Sequence, residues 1–214
     1  MRLQSYLDAL FTARRASLAA EAQFRNQGRV NEGDLVETLK AAIGSAVQTE
    51  PQAERAMRLQ TLARLCTQTP RRELVDALIN ALDVADSVTR SAIGDALVHI
   101  GFDRPADVGR AVDDALDRGR TGAGMADLAW VVGEIGEPSA LKQLRRFLES
   151  TDSEVVASAV DALVALGDPA AIEALESLLA DERRISTEVH PAAEVTLAVL
   201  AADAIHELND ADVP

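Results

Sequence analysis

Aromatic residues and cysteines are scarce in this chain of 214 residues. Only 3% of the residues are aromatic, with one tryptophan and one tyrosine. A surface that stacks nucleobases or flat cofactors needs several aromatic rings, so the composition argues against such a surface. The single cysteine, Cys66, excludes an intramolecular disulfide and is compatible with a reducing compartment.

Long hydrophobic runs are also missing. No segment approaches the roughly 18 uninterrupted apolar residues of a membrane span. The first segment meets charge at Asp8 and Arg14 before any long apolar run, so no signal peptide is expected. These absences predict a soluble, cytoplasmic protein that does not bind membranes.

Strand-type alternation is absent as well, and the apolar residues recur instead at the spacings of amphipathic helices. Clusters of Gly, Pro and Asp separate these segments at short intervals. The pattern predicts helices near 2–25, 34–46, 50–68, 70–83, 87–100, 105–117, 123–135, 138–149, 153–166, 169–181 and 190–208.

The helical segments form an internal repeat. Four stretches align, namely "SAIGDALVHIGFDRP", "DLAWVVGEIGEPSAL", "ASAVDALVALGDPAA" and "VLAADAIHELNDADV". A glycine follows the apolar run at Gly101, Gly136 and Gly167, and Asn209 stands in its place in the last repeat. We expect each of these residues to end a helix in the left-handed conformation.

A proline follows the turn glycine, as at Pro138 and Pro169, where it favours the start of a second helix. In the second helices, Leu141, Leu144 and Leu148, and likewise Ile172, Leu175 and Leu179, define the apolar face. The unit is therefore a helix, a tight turn and an antiparallel helix. One such pair cannot bury its apolar faces alone, so neighbouring pairs must stack.

The stretch "SEVVASAVDALVALGDPAAIEALESLLAD" resembles a bacterial HEAT repeat, especially the short type found in phycobilin lyases. The similarity is greatest over 122–181 and extends to 86–118, 190–210 and 50–83. It implies an all-α fold, a right-handed α-α superhelix in which the second helices line the concave face. We expect a helical N-terminal segment over 1–48 and a HEAT-like solenoid of four to five helix pairs over 49–214.

The N-terminal helix carries Leu3, Tyr6, Leu7, Leu10 and Phe11 on one stripe. A terminal repeat must be shielded from water, so one interpretation is a cap on the solenoid. The other is a helix that mediates dimerisation or docks a partner.

The net charge of −14 is concentrated in the last third of the chain. Residues 149–214 contain 15 acidic and two basic residues, whereas residues 1–148 contain 20 and 19. A surface of this kind repels phosphate backbones, so we expect no nucleic-acid partner. A protein with a basic surface is the expected partner, although acidic faces can also serve only to keep a chain soluble.

Catalytic and metal-binding motifs are missing. There is no H-E-x-x-H, G-x-S-x-G or C-x-x-C motif, and "GRTGAG" at 119–124 lacks the strand and lysine of a phosphate loop. Asp95, Asp161 and Asp203 occupy one repeat position, which indicates a structural role such as an inter-repeat hydrogen bond. Cys66 replaces a turn glycine beside an apolar run and is expected to be buried. We therefore expect no catalytic residue, no metal and no cofactor.

One face of the second helices alternates in charge. Lys142 corresponds to Glu173, and Arg145 corresponds to Glu176 in the next repeat. This alternation predicts either a ladder of surface salt bridges or a binding groove with a basic patch that includes Arg146.

Two further features break the repeat pattern. The insertion "ERRISTEVHP" contains Arg183 and Arg184, the only basic residues of the acidic third. Trp130 stands where the other repeats carry aspartate, either to fill a gap between turns or to contact a partner. The complete set of predicted partner-binding residues is Trp130, Lys142, Arg145, Arg146, Glu173, Glu176, Arg183 and Arg184.

These features predict a non-catalytic scaffold or adaptor that binds another protein through its concave face and acidic C-terminal repeats. The segment "AWVVGEIGEPSAL" is also reminiscent of phycobilin lyases. This resemblance implies the alternative of a tetrapyrrole-handling subunit, and lyase-like activity is the only enzymatic possibility we retain. HEAT-like DNA glycosylases need a basic groove with aromatic residues, which this composition opposes.

Overall fold

Helices account for nearly all the secondary structure of the computed structural model, which describes residues 2–28, 30–186 and 194–211. The described helices are α1 (Arg2–Gly28), α2 (Glu32–Val47), α3 (Gln52–Cys66), α4 (Arg72–Ala81), α5 (Ser87–Asp103), α6 (Pro105–Asp117), α7 (Ala123–Ile135), α8 (Ala140–Leu148), α9 (Ser153–Leu166), α10 (Ile172–Glu176) and α11 (Leu197–Ala211). Single 3₁₀ turns occur at Leu82–Val84 and Pro169–Ala171, and two short strands are β1 (Arg184–Ser186) and β2 (Glu194–Thr196). Each described helix is too short or too polar to cross a membrane.

The helices stack in two layers. The first layer consists of α3, α5, α7, α9 and α11, each packed against the next. The second layer runs through α2, α4, α6 and α8 in the same order. The protein is thus an all-α solenoid of stacked helix pairs, which confirms the fold class predicted from the repeat.

The core between the layers is built from small aliphatic side chains. One hydrophobic cluster runs from Val36 in α2 to Leu208 in α11, and Phe147 is its largest fully buried side chain. Small side chains let the first-layer helices approach closely. A Cβ atom added at Gly133 of α7 would lie 2.8 Å from the Cβ of Ala162 in α9.

Two of the four predicted turn residues have the expected conformation. Gly136 and Gly167 end α7 and α9 with φ values of 64° and 63°. The prediction for Gly101 is wrong, because α5 continues to Asp103 and ends only before Pro105. Proline disfavours helical backbone in the residue before it and so sets this end.

The prediction for Asn209 is also wrong. Asn209 lies inside α11, and its side-chain amide donates to the carbonyl oxygen of Ile205 at 2.9 Å. Gly101 is likewise helical, and it is buried against Ile135 of the neighbouring repeat. Recurrence at a repeat position therefore does not fix the role of the residue there.

The insertion contains strands that the sequence does not predict. β1 and β2 form an antiparallel pair in which Arg184 faces Thr196 and Ile185 faces Val195. Ile185 is buried, so the pair closes over the core. Of the helix predicted over 190–208, residues 190–193 lie outside the described residues, and α11 begins only after β2.

The last second-layer helix is shorter than predicted. The segment 169–181 contains a 3₁₀ turn, the five residues of α10 and further turns. The tighter winding moves Leu178 into the core and leaves Leu179 48% exposed. Leu179 therefore does not belong to the apolar face.

The N-terminal helices differ in their packing. α2 packs against α3 and α4 and contributes Leu39 and Ile43 to the common core. Residues 3–20 of α1 are all exposed. The boundary predicted at residue 48 stays a prediction.

Candidate functional site

The second-layer helices carry the predicted charged surface. Lys142, Arg145 and Arg146 lie on α8, and Glu173 and Glu176 lie on α10. The basic side chains of α8 lie between acidic residues of α6 on one side and acidic residues of α10 on the other.

Arg146 points back toward the preceding repeat. Its Nη1 donates to Asp113 Oδ1 at 2.8 Å and its Nη2 to Asp117 Oδ1 at 2.5 Å. Asp113 and Asp117 are one helical turn apart on α6, so a single guanidinium group bridges both carboxylates.

Arg145 points forward to the next repeat. Its Nη2 donates to the carbonyl oxygen of Ala170 at 2.7 Å and lies 3.6 Å from Glu173 Oε2. These contacts tie α8 to the 3₁₀ turn that precedes α10. Two of the three predicted basic residues of α8 therefore join neighbouring repeats, as in a salt-bridge ladder.

The remaining charges of this surface are open. Lys142 and Glu176 are exposed, and neither forms an ion pair within the described part of the chain. The Glu173 side chain is 85% exposed despite its contact with Arg145. Exposed pairs of this kind contribute about 0–1 kcal/mol, so Glu173 remains available to an external cation.

Arg183 forms hydrogen bonds within the chain. Its guanidinium group forms several hydrogen bonds with the carboxylate of Asp181, and its Nη1 donates to the carbonyl oxygen of Ser150 at 2.8 Å. Hydrogen bonds from Arg183 hold the pKa of Asp181 below its usual range. The pair fastens the strand insertion to the turn between α8 and α9, while Arg184 lies exposed on β1.

Trp130 lies in the other layer, away from the charged helices α8 and α10. Its ring covers Gly94 of α5, since a Cβ at Gly94 would lie 3.0 Å from Trp130 Cζ3. The ring nevertheless remains 38% exposed. Trp130 therefore fills space between two repeats and also presents an aromatic edge to solvent.

The structure thus separates the predicted residues into three places. One group lies on α8 and α10, a second on the strand insertion, and Trp130 stands alone in the first layer. At the repeat position of Trp130, Asp95, Asp161 and Asp203 are exposed. None of them forms a hydrogen bond with a described residue, so the expected inter-repeat hydrogen bond is absent there.

Sequence reasoning missed several polar contacts between repeats. Arg90 Nε donates to Asp127 Oδ2 at 2.7 Å, and the buried Gln143 amide donates to the carbonyl oxygen of Gly109 at 2.8 Å. Burial raises the pKa of Asp127, although the charge of Arg90 acts to lower it. The spacing of about one repeat between partners is the signal that indicates such pairs.

Cys66 is fully buried at the end of α3, as predicted. Burial raises the pKa of its thiol to about 12. The reactive form of a cysteine is the thiolate, and the raised pKa keeps Cys66 in its thiol form near neutral pH. The side chain therefore serves in packing. Among residues 2–28, 30–186 and 194–211, no three His, Cys, Asp or Glu side chains are grouped so that they could hold a metal ion.

Stacked helix pairs with short turns place the protein in the class of α-solenoids. Residues 125–197 match the family described as HEAT repeats, and this part of the chain is therefore similar to that family. The match covers the repeats with the two left-handed glycine turns and the charged helices α8 and α10. No curated protein matches the chain.

Proposed function

We propose that this protein is a non-catalytic scaffold or adaptor that binds a basic surface of another protein. The contact would be made by the second-layer helices and the acidic C-terminal repeats. The resemblance to HEAT repeats implies that the second-layer side is the concave face. In this proposal the solenoid supplies an extended, preorganised surface, and the cytoplasmic location remains a prediction.

The pairing of the arginine side chains supports this proposal most directly. Arg145, Arg146 and Arg183 each use their guanidinium groups on partners within the chain. In the acidic third, Glu173 and Asp181 pair with an arginine, whereas Glu176, Asp161 and Asp203 form no ion pair with a described residue. Three basic side chains near the acidic third are therefore paired within the chain, and the unpaired carboxylates outnumber the open Lys142, so the charge left for a partner is mainly negative.

An excess of unpaired carboxylates attracts a cationic partner over several ångströms. The screening length is about 10 Å at 0.1 M salt and about 3 Å at 1 M. Long-range attraction of this kind increases the association rate and confers selectivity for a basic surface. The complex should therefore form more slowly and bind more weakly at high salt.

The charge-reversal variant Glu173→Lys/Glu176→Lys tests the role of α10. We expect the unmodified chain, tagged and incubated with cell extract, to capture basic proteins at low salt and to release them at high salt. The variant should lose the same proteins already at low salt. Mass spectrometry of the captured proteins measures both effects.

Glu73→Lys/Asp76→Lys on α4 provides a matched control. It has the same residue spacing, the same change in charge and a position in the same layer, but it lies far from the acidic repeats. Capture that survives in this control and fails in the α10 variant supports the proposal. Capture that is unchanged at high salt and in the α10 variant would contradict the proposal.

The resemblance around Trp130 supports a second proposal, a tetrapyrrole-handling subunit. The exposed edge of the Trp130 ring could contact the flat face of a bilin. Titration with a bilin should then shift its visible absorbance, and Trp130→Ala should abolish the shift. An unchanged spectrum would remove this alternative.

A further inference from the structure

Helix α1 is longer than its contact with the rest of the chain. Its 27 residues span about 40 Å at 1.5 Å per residue. Among the residues that the structure describes, α1 meets the solenoid at its C-terminal end, through the ion pair between Glu21 and Arg64 at 2.6 Å, the packing of Phe24, and Gly28 against Leu35. Most of the helix projects beyond that contact.

The projecting part continues the face that α1 uses to bind the solenoid. At 100° per residue, the docked positions 21, 24 and 28 lie in line with the N-terminal apolar stripe. The stripe is exposed along its whole length, at Leu3 (81%), Tyr6 (70%), Leu7 (47%), Leu10 (62%), Phe11 (59%) and Leu18 (46%). Monomeric proteins rarely expose a contiguous apolar surface of this size.

We propose that this stripe is covered by α1 of a second copy of the chain, packed antiparallel in a two-fold symmetric dimer. The same surface would then bind itself, as in most homodimers. The inference is independent of the proposed adaptor function, because it concerns α1 and not the acidic repeats.

The charges beside the stripe fit an antiparallel pair. Asp8 and Arg15 are seven residues apart and so lie on one flank of the stripe. Neither side chain has an ion pair within the described residues. A two-fold axis perpendicular to the helices places each flank against itself. With the axis near residues 11 and 12, Asp8 of each copy meets Arg15 of the other.

A parallel pair would lack these contacts. It would place the flank of Asp8 and Arg15 against the opposite flank, which carries Ala9, Ala13 and Ala20. The antiparallel arrangement is therefore the self-complementary one. Arg14 lies within the stripe, where its aliphatic stem can pack on apolar neighbours while the guanidinium group reaches the edge.

A membrane is the alternative occupant of the stripe. The four arginines of α1 outnumber its two acidic residues, so the charge of the helix itself does not oppose an anionic bilayer. The charge pairs across an antiparallel dimer favour a second copy, and vesicle binding by a monomeric chain is the outcome that would favour the membrane.

The size of the stripe indicates a dimer of moderate affinity. Aromatic side chains bury about 150–250 Å² each, and with four leucines two copies of the stripe would remove on the order of 1,000 Å² from water. Stable specific interfaces bury about 1,200–2,000 Å² in total. The dimer should therefore dissociate within the micromolar range.

Sedimentation velocity of the full chain from about 1 to 300 μM tests the dimer. We expect the mass to rise from 22.8 kDa toward twice that value as the concentration increases. Leu7→Glu/Phe11→Glu should hold the chain at the monomer mass. Ala16→Glu/Gln23→Glu adds the same charge at exposed positions on the opposite side of the helix, away from Asp8, and should dimerise like the unmodified chain.

Charge reversal tests the antiparallel arrangement. Asp8→Arg and Arg15→Asp should each weaken dimerisation about tenfold, because each places like charges together twice. An equimolar mixture of the two variants should restore it, since the mixed dimer regains both opposite-charge pairs.

A monomer at every concentration would overturn the proposal, as would a dimer that survives Leu7→Glu/Phe11→Glu. Sedimentation of a monomeric chain with anionic vesicles would assign the stripe to a membrane instead. A mixture of the charge variants that remains monomeric would refute the antiparallel pairing.

Discussion

Two glycines in helix interiors should respond in opposite directions to the same substitution. Gly133 lies in α7 and Gly44 lies in α2. A Cβ at Gly133 would lie 2.8 Å from the Cβ, 3.2 Å from the Cα and 3.4 Å from the carbonyl oxygen of Ala162. A Cβ at Gly44 would meet no atom within 4 Å.

The expected free energies follow from these distances. Alanine stabilises a helix interior by about 0.8–1.0 kcal/mol relative to glycine. Gly44→Ala should gain roughly this amount. At Gly133 the new methyl group presses on the backbone of α9, and overpacking costs about 1–3 kcal/mol. Gly133→Ala should therefore lose about 1 kcal/mol net, leaving the variants about 2 kcal/mol apart.

Urea unfolding, followed by helical circular dichroism and by the fluorescence of Trp130, measures this difference. With a denaturant slope near 2 kcal/mol per molar, the two midpoints should differ by about 1 M. Equal slopes for the two variants and coincident curves from both signals establish that the midpoints report stability.

A shift of both midpoints in the same direction would refute this reasoning. It would mean that α7 and α9 do not approach each other as closely as the structure shows, or that helix propensity outweighs packing. Gly133→Ala/Ala162→Gly removes the opposing methyl group and should recover part of the loss.

Two further predictions concern single residues. The pKa of Cys66 rises from 9.0 to about 12 on folding, so the folded thiol keeps its proton above pH 9 while the unfolded thiol releases it. The difference in unfolding free energy between the unmodified chain and Cys66→Ala should then fall between pH 9 and 12, by up to about 1.4 kcal/mol per pH unit. Urea titrations across that range measure this difference, and a constant value would contradict the burial of Cys66. Gly167 has a φ of 63° with open space around it. Gly167→Ala should therefore lower the free energy of unfolding by about 1–2 kcal/mol through backbone strain alone, and Gly167→Asn should lower it less. Equal urea midpoints for all three chains would show that α9 ends differently.

Much of the fold could be predicted from local patterns. The helices predicted over 123–135 and 153–166 have those bounds in the structure, because a left-handed glycine ends each of them. The fold class and the burial of Cys66 were also predicted, since apolar periodicity and turn residues act over a few neighbouring positions.

The candidate site was less predictable. Sequence alignment of the repeats placed Arg145 and Arg146 together, but their side chains point to opposite neighbours. Which carboxylate an arginine reaches depends on the offset between stacked helices, and a side-chain pattern along one helix does not contain that offset.

The sequence by itself determined that the chain is a stack of helix pairs, that a glycine follows the apolar run in three of its repeats, and that its negative charge is concentrated in the last third. These properties depend on backbone preferences and on composition. Only the tertiary structure decided which glycine is a turn and which is a contact. Gly101 and Gly136 share a repeat position, yet one is pressed against Ile135 and the other has a φ of 64°. The difference arises because contacts between repeats join residues about 30 positions apart, beyond the reach of any local pattern.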